Sequence, residues 1–232
     1  MKIKDIGELG LIEKIREKIK NYSKEIIVGI GDDAAVLNYD KEHYLLFTTD
    51  SLVENIHFSL EYHSPEQIGM KVIEQNVSDI ASMGGSPKYV VISLLLPKNT
   101  ELRIFDDIIN GMNRKCKEYK INIVGGNISS SKEIIIDIAM LGLVEKKYLT
   151  LRSGAKINDL IFCSGNVGSS SIGLEFVKNK IKGNTIKKHL EPKSRLKLAR
   201  KLVKIGINSM IDVSDGVASE VKHICDESKA GA

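Results

Sequence analysis

The chain has 232 residues, 42% of them hydrophobic, with a net charge of +4 and three cysteines. That is enough apolar material for one large domain or two small ones, and the even scatter of Lys argues against a dedicated nucleic-acid surface. Cys116, Cys163 and Cys225 lie far apart with no Cys-x-x-Cys spacing, so neither a disulfide framework nor a zinc site is expected and a reducing cytoplasm is the implied home; no apolar run reaches membrane length, and the first residues lack a signal-peptide core.

In chain order the pattern mixes helix and strand. Ile12, Ile15 and Ile19 fall on one face of an amphipathic N-terminal helix. Short strands are expected over 25–30, 34–38 and 43–49, separated by turns at Gly31-Asp32-Asp33 and Tyr39-Asp40-Lys41. Ser64-Pro65-Glu66-Gln67 announces a helix, with Ser as N-cap, Pro at the first position and Gln closing a capping box, which runs to about Met83 before Gly84-Gly85. A buried strand at 89–96 ends at Pro97, and a long helix follows over 100–119. Strands at 121–124 and 134–144 bracket a Gly125-Gly126-Asn127 turn and a polar Ser129-Ser130-Ser131 tip.

A boundary is expected within 146–158, dividing the chain into 1–147 and 148–232. The second part reads as a strand at 159–164, helices from Ser169 to Val177 and over 194–205, and a last helix from Gly216 carrying Val217, Val221 and Ile224. It supplies too few strands for a sheet of its own.

Six aspartates stand in four groups: Asp32 and Asp33 in Gly29-Ile-Gly-Asp-Asp-Ala-Ala-Val36, Asp50 in Thr48-Thr-Asp-Ser51, Asp79 in Asn76-Val-Ser-Asp79, and Asp212 with Asp215 in Ile211-Asp-Val-Ser-Asp-Gly216. Each is placed where an apolar run stops or a helix begins. Asp is common in turns and caps, so one such pair alone would be structural. Four groups with Ser, Thr or Gly beside them suit magnesium, a hard cation shared between one or two carboxylates and substrate phosphates, and imply ATP as the polyphosphate. Gly165-Asn-Val-Gly-Ser169 could cradle a phosphate at a helix start but lacks the Lys-Ser/Thr ending of a P-loop. No nucleophile motif is present. Among the histidines, His57 alone follows a carboxylate group on a loop; His43, His63, His189 and His223 have no partner spacing.

These motifs, together with His57-Phe58 and Leu151-Arg-Ser-Gly-Ala-Lys156, resemble in order and over nearly the whole chain the thiamine-monophosphate kinases, members of the ATP-binding superfamily that also holds aminoimidazole ribonucleotide synthetase. The resemblance implies an α/β N-terminal domain whose strands join those of a second subunit into a barrel, making a homodimer, followed by an α+β C-terminal domain, here incomplete. It implies the reaction of ATP with thiamine phosphate to give ADP and thiamine diphosphate. It places magnesium ions on Asp33, Asp50, Asp79 and Asp212 with help from Thr48 and Thr49, a further ion on Asp215, the nucleotide on Gly126, Asn127, Arg152 and Ser214, and thiamine phosphate near His57.

Three departures accompany the resemblance. Asn127 stands where the family pattern has a metal-binding Asp, so that site keeps a carbonyl oxygen and loses one negative charge. Glu220 replaces an Asp, and the chain ends before a later Gly-Gly-Glu-Asp-Tyr segment that helps to form the thiamine pocket. Two other outcomes therefore stand beside the kinase: another ATP-using enzyme of the superfamily, and a non-catalytic nucleotide-binding relative.

Overall fold

A computed structural model describes residues 2–232. Six strands form one mixed sheet in the order β1-β2-β3-β6-β4-β5, where β1 is Ile26–Val28, β2 Ala35–Asn38, β3 His43–Val53, β4 Ser86–Leu96, β5 Asn122–Ser130 and β6 Ile135–Glu145. Only β4 and β5 run parallel. Two 18-residue helices, α2 (Pro65–Ser82) and α3 (Leu102–Tyr119), cover one face of the sheet, and α1 (Gly7–Lys18) precedes it. After β6 the chain is helical and irregular: α4 (Ser169–Lys178), α5 (Ile186–Leu190), α6 (Leu196–Ile205) and α7 (Val217–Ser228). No helix among the described residues is long and apolar enough to cross a membrane.

The alternation of strand side chains puts Leu46 and Leu52 of β3, Val90, Ile92 and Leu94 of β4, and Ile136, Ile138 and Met140 of β6 on the helix-covered face, where all are buried. Against them pack Val72, Ile73, Val77 and Ile80 of α2 and Ile108 and Met112 of α3. The two helices approach closely because each offers a glycine to the other: a Cβ on Gly69 would meet the Ile108 backbone, and one on Gly111 the Glu66 backbone. The expected capping box starts α2, with Gln67 N–H donating to Ser64 Oγ at 3.2 Å and Ser64 N–H to Gln67 Oε1 at 3.0 Å.

A buried polar network ties the later part of the chain to this core. Lys115 Nζ pairs with Glu74 Oε1 at 2.7 Å, while Glu74 Oε2 accepts from Tyr119 OH at 2.8 Å and from Ser194 N–H at 2.7 Å. A buried ion pair holds its place only when the remaining lone pairs find donors, and here the second Glu74 oxygen finds them on α3 and on the lead-in to α6.

Three expectations are corrected. The strand expected to stop at Thr49 runs on through Asp50 to Val53, so Asp50 sits within β3 and not past its end; eleven cross-strand pairs with β6 keep it extended. Gly125-Gly126-Asn127 likewise belongs to β5, held by parallel pairing to β4, and a Cβ at Gly126 would run into the Ile92 carbonyl. The strand expected at 159–164 does not form. Among the described residues no strand lies beside it to take its backbone hydrogen bonds, and its Leu160 and Phe162 stay exposed.

Candidate active site

The face alternation of β3 decides which of its polar residues look inward. Thr48 and Asp50 share the helix-covered face, so Thr48 Oγ1 reaches Asp79 Oδ2 of α2 at 2.6 Å and also the Asp33 carbonyl at 3.2 Å. Thr49 points to the opposite face, where it and Ser51 donate to Asp137 Oδ1 at 3.3 and 2.7 Å. Asp33 enters from the turn before β2, and Asp212 from the segment before α7.

These four carboxylates feel one another. Burial, then the charges of Asp50 and Asp212, push the Asp79 carboxyl up to about 9. Burial and the Asp33 charge raise Asp212 to about 7, although a Ser78 hydroxyl partly offsets them. Asp50 rises to about 6 through burial and the nearby Asp137. Carboxyls shifted this far by desolvation and by neighbouring carboxylates lack a compensating cation. Arg152 supplies one on a single side: its guanidinium binds Asp33 Oδ1 through Nη2 and, at 3.1 Å, through Nε. Asp33 Oδ2 is buried and has no hydrogen-bond partner.

Asp32 serves the turn itself. Its Oδ1 accepts the Asp33 N–H and its Oδ2 the Arg152 N–H, both at 3.0 Å, so its oxygens hold two loops together. Gly31, at φ +130°, lets the Arg16 guanidinium lie where a side chain would be.

The remaining expected site residues are dispersed. Asp215 is exposed, and the loop bearing it and Ser214 is pinned by the buried Glu220, whose Oε1 accepts Ser214 N–H at 3.1 Å and Asp215 N–H at 2.9 Å. Gly126 and Asn127 lie on the exposed edge strand β5, three strand positions from β3, or about 14 Å at the usual spacing. His57 is exposed beyond the end of β3. Its Nδ1 accepts the Val53 N–H at 3.0 Å, so in the neutral ring Nε2 carries the proton and is left as a donor. Burial and Lys71 lower its pKa, favouring that neutral form.

Two residues join this picture that sequence reading passes over. Asp137 is a lone carboxylate in the apolar run Ile134-Ile135-Ile136-Asp137-Ile138, a pattern that could have flagged it. Lys71 of α2 donates from Nζ to the His57 carbonyl at 2.6 Å and sets a cation behind that histidine; nothing in its sequence context separates it from other helix-surface lysines.

Among the described residues no three acidic, His or Cys side chains close into a single metal cage. The charges of Asp50, Asp212 and Asp33 all act on the Asp79 carboxyl, which places the four within electrostatic reach. Magnesium commonly takes one or two protein carboxylates and fills its remaining positions with water and phosphate oxygens. The orphaned Asp33 oxygen and the uncompensated carboxyls therefore fit divalent cations bound with a polyphosphate better than a closed, all-protein site.

Comparison with known proteins agrees with that chemistry. The family model of AIR synthase related protein, N-terminal domain, matches residues 31–144. The thiamine-monophosphate kinase of Aquifex aeolicus (strain VF5) is 36% identical over 234 residues, spanning 98% of this chain and 73% of the relative. That of Bacillus subtilis (strain 168) is 35% identical over 96% and 71%. A solved structure of AaThiL complexed with AMPPCP and TMP superposes with a TM-score of 0.89 at 36% identity, over 99% of this chain and 72% of that one. With this identity sustained along almost its entire length, the chain belongs to the thiamine-monophosphate kinase family.

Proposed function

We propose that this protein transfers the γ-phosphoryl group of ATP to the phosphate of thiamine phosphate, yielding ADP and thiamine diphosphate. The observation that carries the reading is the convergence of Asp33, Asp50, Asp79 and Asp212, from four separate elements, on one undercompensated carboxylate cluster. Family membership and the AMPPCP and TMP held by the matching solved structure support the choice of substrates.

Asp33, Asp50, Asp79 and Asp212, with the Thr48 hydroxyl, would hold several magnesium ions. Such ions supply charge neutralisation and alignment of donor and acceptor phosphates. The acceptor is an anionic oxygen, so the reaction needs no general base. Its obstacle is repulsion: unit charges about 4 Å apart interact by roughly 4 kcal/mol at an effective dielectric of 20. Arg152 adds a fixed cation beside Asp33 and is assigned to the nucleotide, with Ser214, Gly126 and Asn127. The His57 Nε2–H would donate to the thiamine phosphate, with Lys71 adding positive charge from the His57 carbonyl side. Thr49, on the opposite face beside Asp137, and the exposed Asp215 are assigned to ions separate from that cluster. Phosphorus NMR of the protein with ATP, magnesium and thiamine phosphate tests the reading directly. ADP and thiamine diphosphate should appear together; ATP binding with neither product formed would reject it.

A non-catalytic relative is the second reading, favoured by the neutral Asn127. Asn127→Asp should tighten magnesium-dependent ATP binding and raise turnover roughly tenfold, about 1.4 kcal/mol, a result that would count against this second reading. A variant that binds ATP no better and turns over no faster would leave position 127 without a role in charge balance.

The working form is proposed to be a cytoplasmic homodimer, in which residues 1–147 make the ATP-, magnesium- and partner-binding domain and residues 148–232 part of an α+β domain. Support for the dimer comes from the uncovered face of the sheet. Antiparallel sheets with one wet face alternate apolar and polar residues, yet Phe47, Tyr89 and Val91 are large, largely apolar and exposed there. Such a patch asks for a partner surface. Sedimentation should give twice the chain mass; a monomer at high concentration would contradict the shared barrel. The cytoplasmic assignment rests on the three free cysteines.

A further inference from the structure

The last turn of α7 touches both loops that meet at the Arg152–Asp33 pair. Ser228 Oγ accepts the Gly154 and Ala155 N–H groups, each at 3.1 Å, and donates to the Arg152 carbonyl at 3.0 Å, so one hydroxyl uses its donor and both acceptor positions on a single loop. Next to it, Glu227 Oε1 accepts from Arg16 Nη2 at 2.8 Å, and Arg16 Nε donates to the Ile30 carbonyl at 2.7 Å. The Arg16 guanidinium lies against Gly31, immediately before Asp32 and Asp33. At its other end α7 uses Glu220 to pin the loop that follows Asp212.

We propose that Ser228 is a positioning residue: from the end of α7 it locks the 151–155 loop so that the Arg152 guanidinium stays on Asp33 at the edge of the carboxylate cluster, while Glu227 and Arg16 hold the opposing Gly31 turn. The functional consequence rests on the assignment of Arg152 to the nucleotide. The physical basis is that removing the hydroxyl leaves two adjacent N–H groups without their acceptor and the loop without three of its anchors. A second hydroxyl, Ser209 Oγ, also donates to the Arg152 carbonyl, at 2.8 Å, but touches neither amide. It cannot substitute for Ser228.

The test compares Ser228→Ala, Ser228→Thr and Ser209→Ala in the full chain by hydrogen–deuterium exchange of the peptide spanning 151–158, by magnesium-ATP titration and by thermal melting. Ser228→Ala should speed exchange in that peptide about tenfold and weaken ATP binding, seen as a raised KM with kcat little changed, while the melting temperature stays close to that of the parent. Ser228→Thr should restore both readouts, and Ser209→Ala should leave the exchange unaltered. Exchange at the parental rate in Ser228→Ala would overturn the proposal, as would a general loosening of α7 with a lowered melting temperature and no separate change at 151–158. If loop exchange accelerates while ATP binding is unchanged, the positioning by Ser228 stands and the assignment of Arg152 to the nucleotide falls. Because exchange and titration do not require turnover, absence of kinase activity would not obscure either result.

Discussion

Asp79→Asn should lower thiamine diphosphate formation by roughly a thousandfold, the scale of losing one preorganised electrostatic contact at a transition state, while making the metal-free protein more stable. The two effects have one cause. Asp79 is placed by α2 against Asp50, Asp212 and Asp33, and together with burial this pushes its carboxyl up to about 9. Near pH 8 the metal-free fold must either keep a proton on a group whose ordinary value is 3.8 or bear a buried charge among like charges. Asn has the same shape, retains an oxygen to accept from Thr48 Oγ1, and carries neither cost. Its gain should be a few kcal/mol, about 1.4 for each pH unit of protonation avoided. Phosphorus NMR and thermal melting in chelated buffer at pH 8 read the two effects. Turnover within tenfold of the parent would remove Asp79 from the metal-binding set. A lowered melting temperature would show that its environment favours the charged form.

Much of this arrangement was legible in the chain before folding was considered, and the exceptions have physical causes. Local signals survived: Ser64 and Gln67 close their capping box because it needs only residues three apart, and α3 keeps its apolar stripe because period alone defines it. Non-local determinants did not show. The apolar run of the strand over 43–49 stops before Asp50 in isolation, and only the pairing of β3 with β6 extends it to Val53. The two glycines of β5 read as a break until a parallel neighbour is supplied. Conversely, 159–164 has strand composition but no strand beside it among the described residues. The acidic motifs were visible as types, but not which face each occupies. That is why Thr48 and Thr49, adjacent in sequence, end on opposite sides of the sheet, and why the pairing of Arg152 with Asp33 across 119 positions had no local signature.

Stability of the metal-free protein should fall by about 2–3 kcal/mol between pH 7 and pH 9, one proton's worth of linkage over two pH units. A carboxyl whose folded pKa lies above its unfolded value binds more protons when folded. Its contribution is therefore fully present below the unfolded value and is lost as pH rises through the folded one. For Asp50, Asp212 and Asp79 those folded values are about 6, 7 and 9, against an ordinary 3.8. Two histidines, His63 buried and His189 half-buried, act in the opposite sense at lower pH: burial and neighbouring lysines depress both to about 4, so their contribution is present above 6.5 and lost on acidification. The opposing trends overlap below pH 6.5, which leaves the interval from 7 to 9 to Asp212 and above all Asp79. Denaturant melts in chelator should show the decline there, and Asp79→Asn should flatten most of it. Magnesium with a non-hydrolysable ATP analogue should reverse the slope, since cations bind the deprotonated carboxylates and stabilise more as protons leave. A metal-free stability that is level or rising from pH 7 to 9 would mean that the four carboxylates do not share one repulsive cluster, and the case for a multi-magnesium site would lose its main physical support.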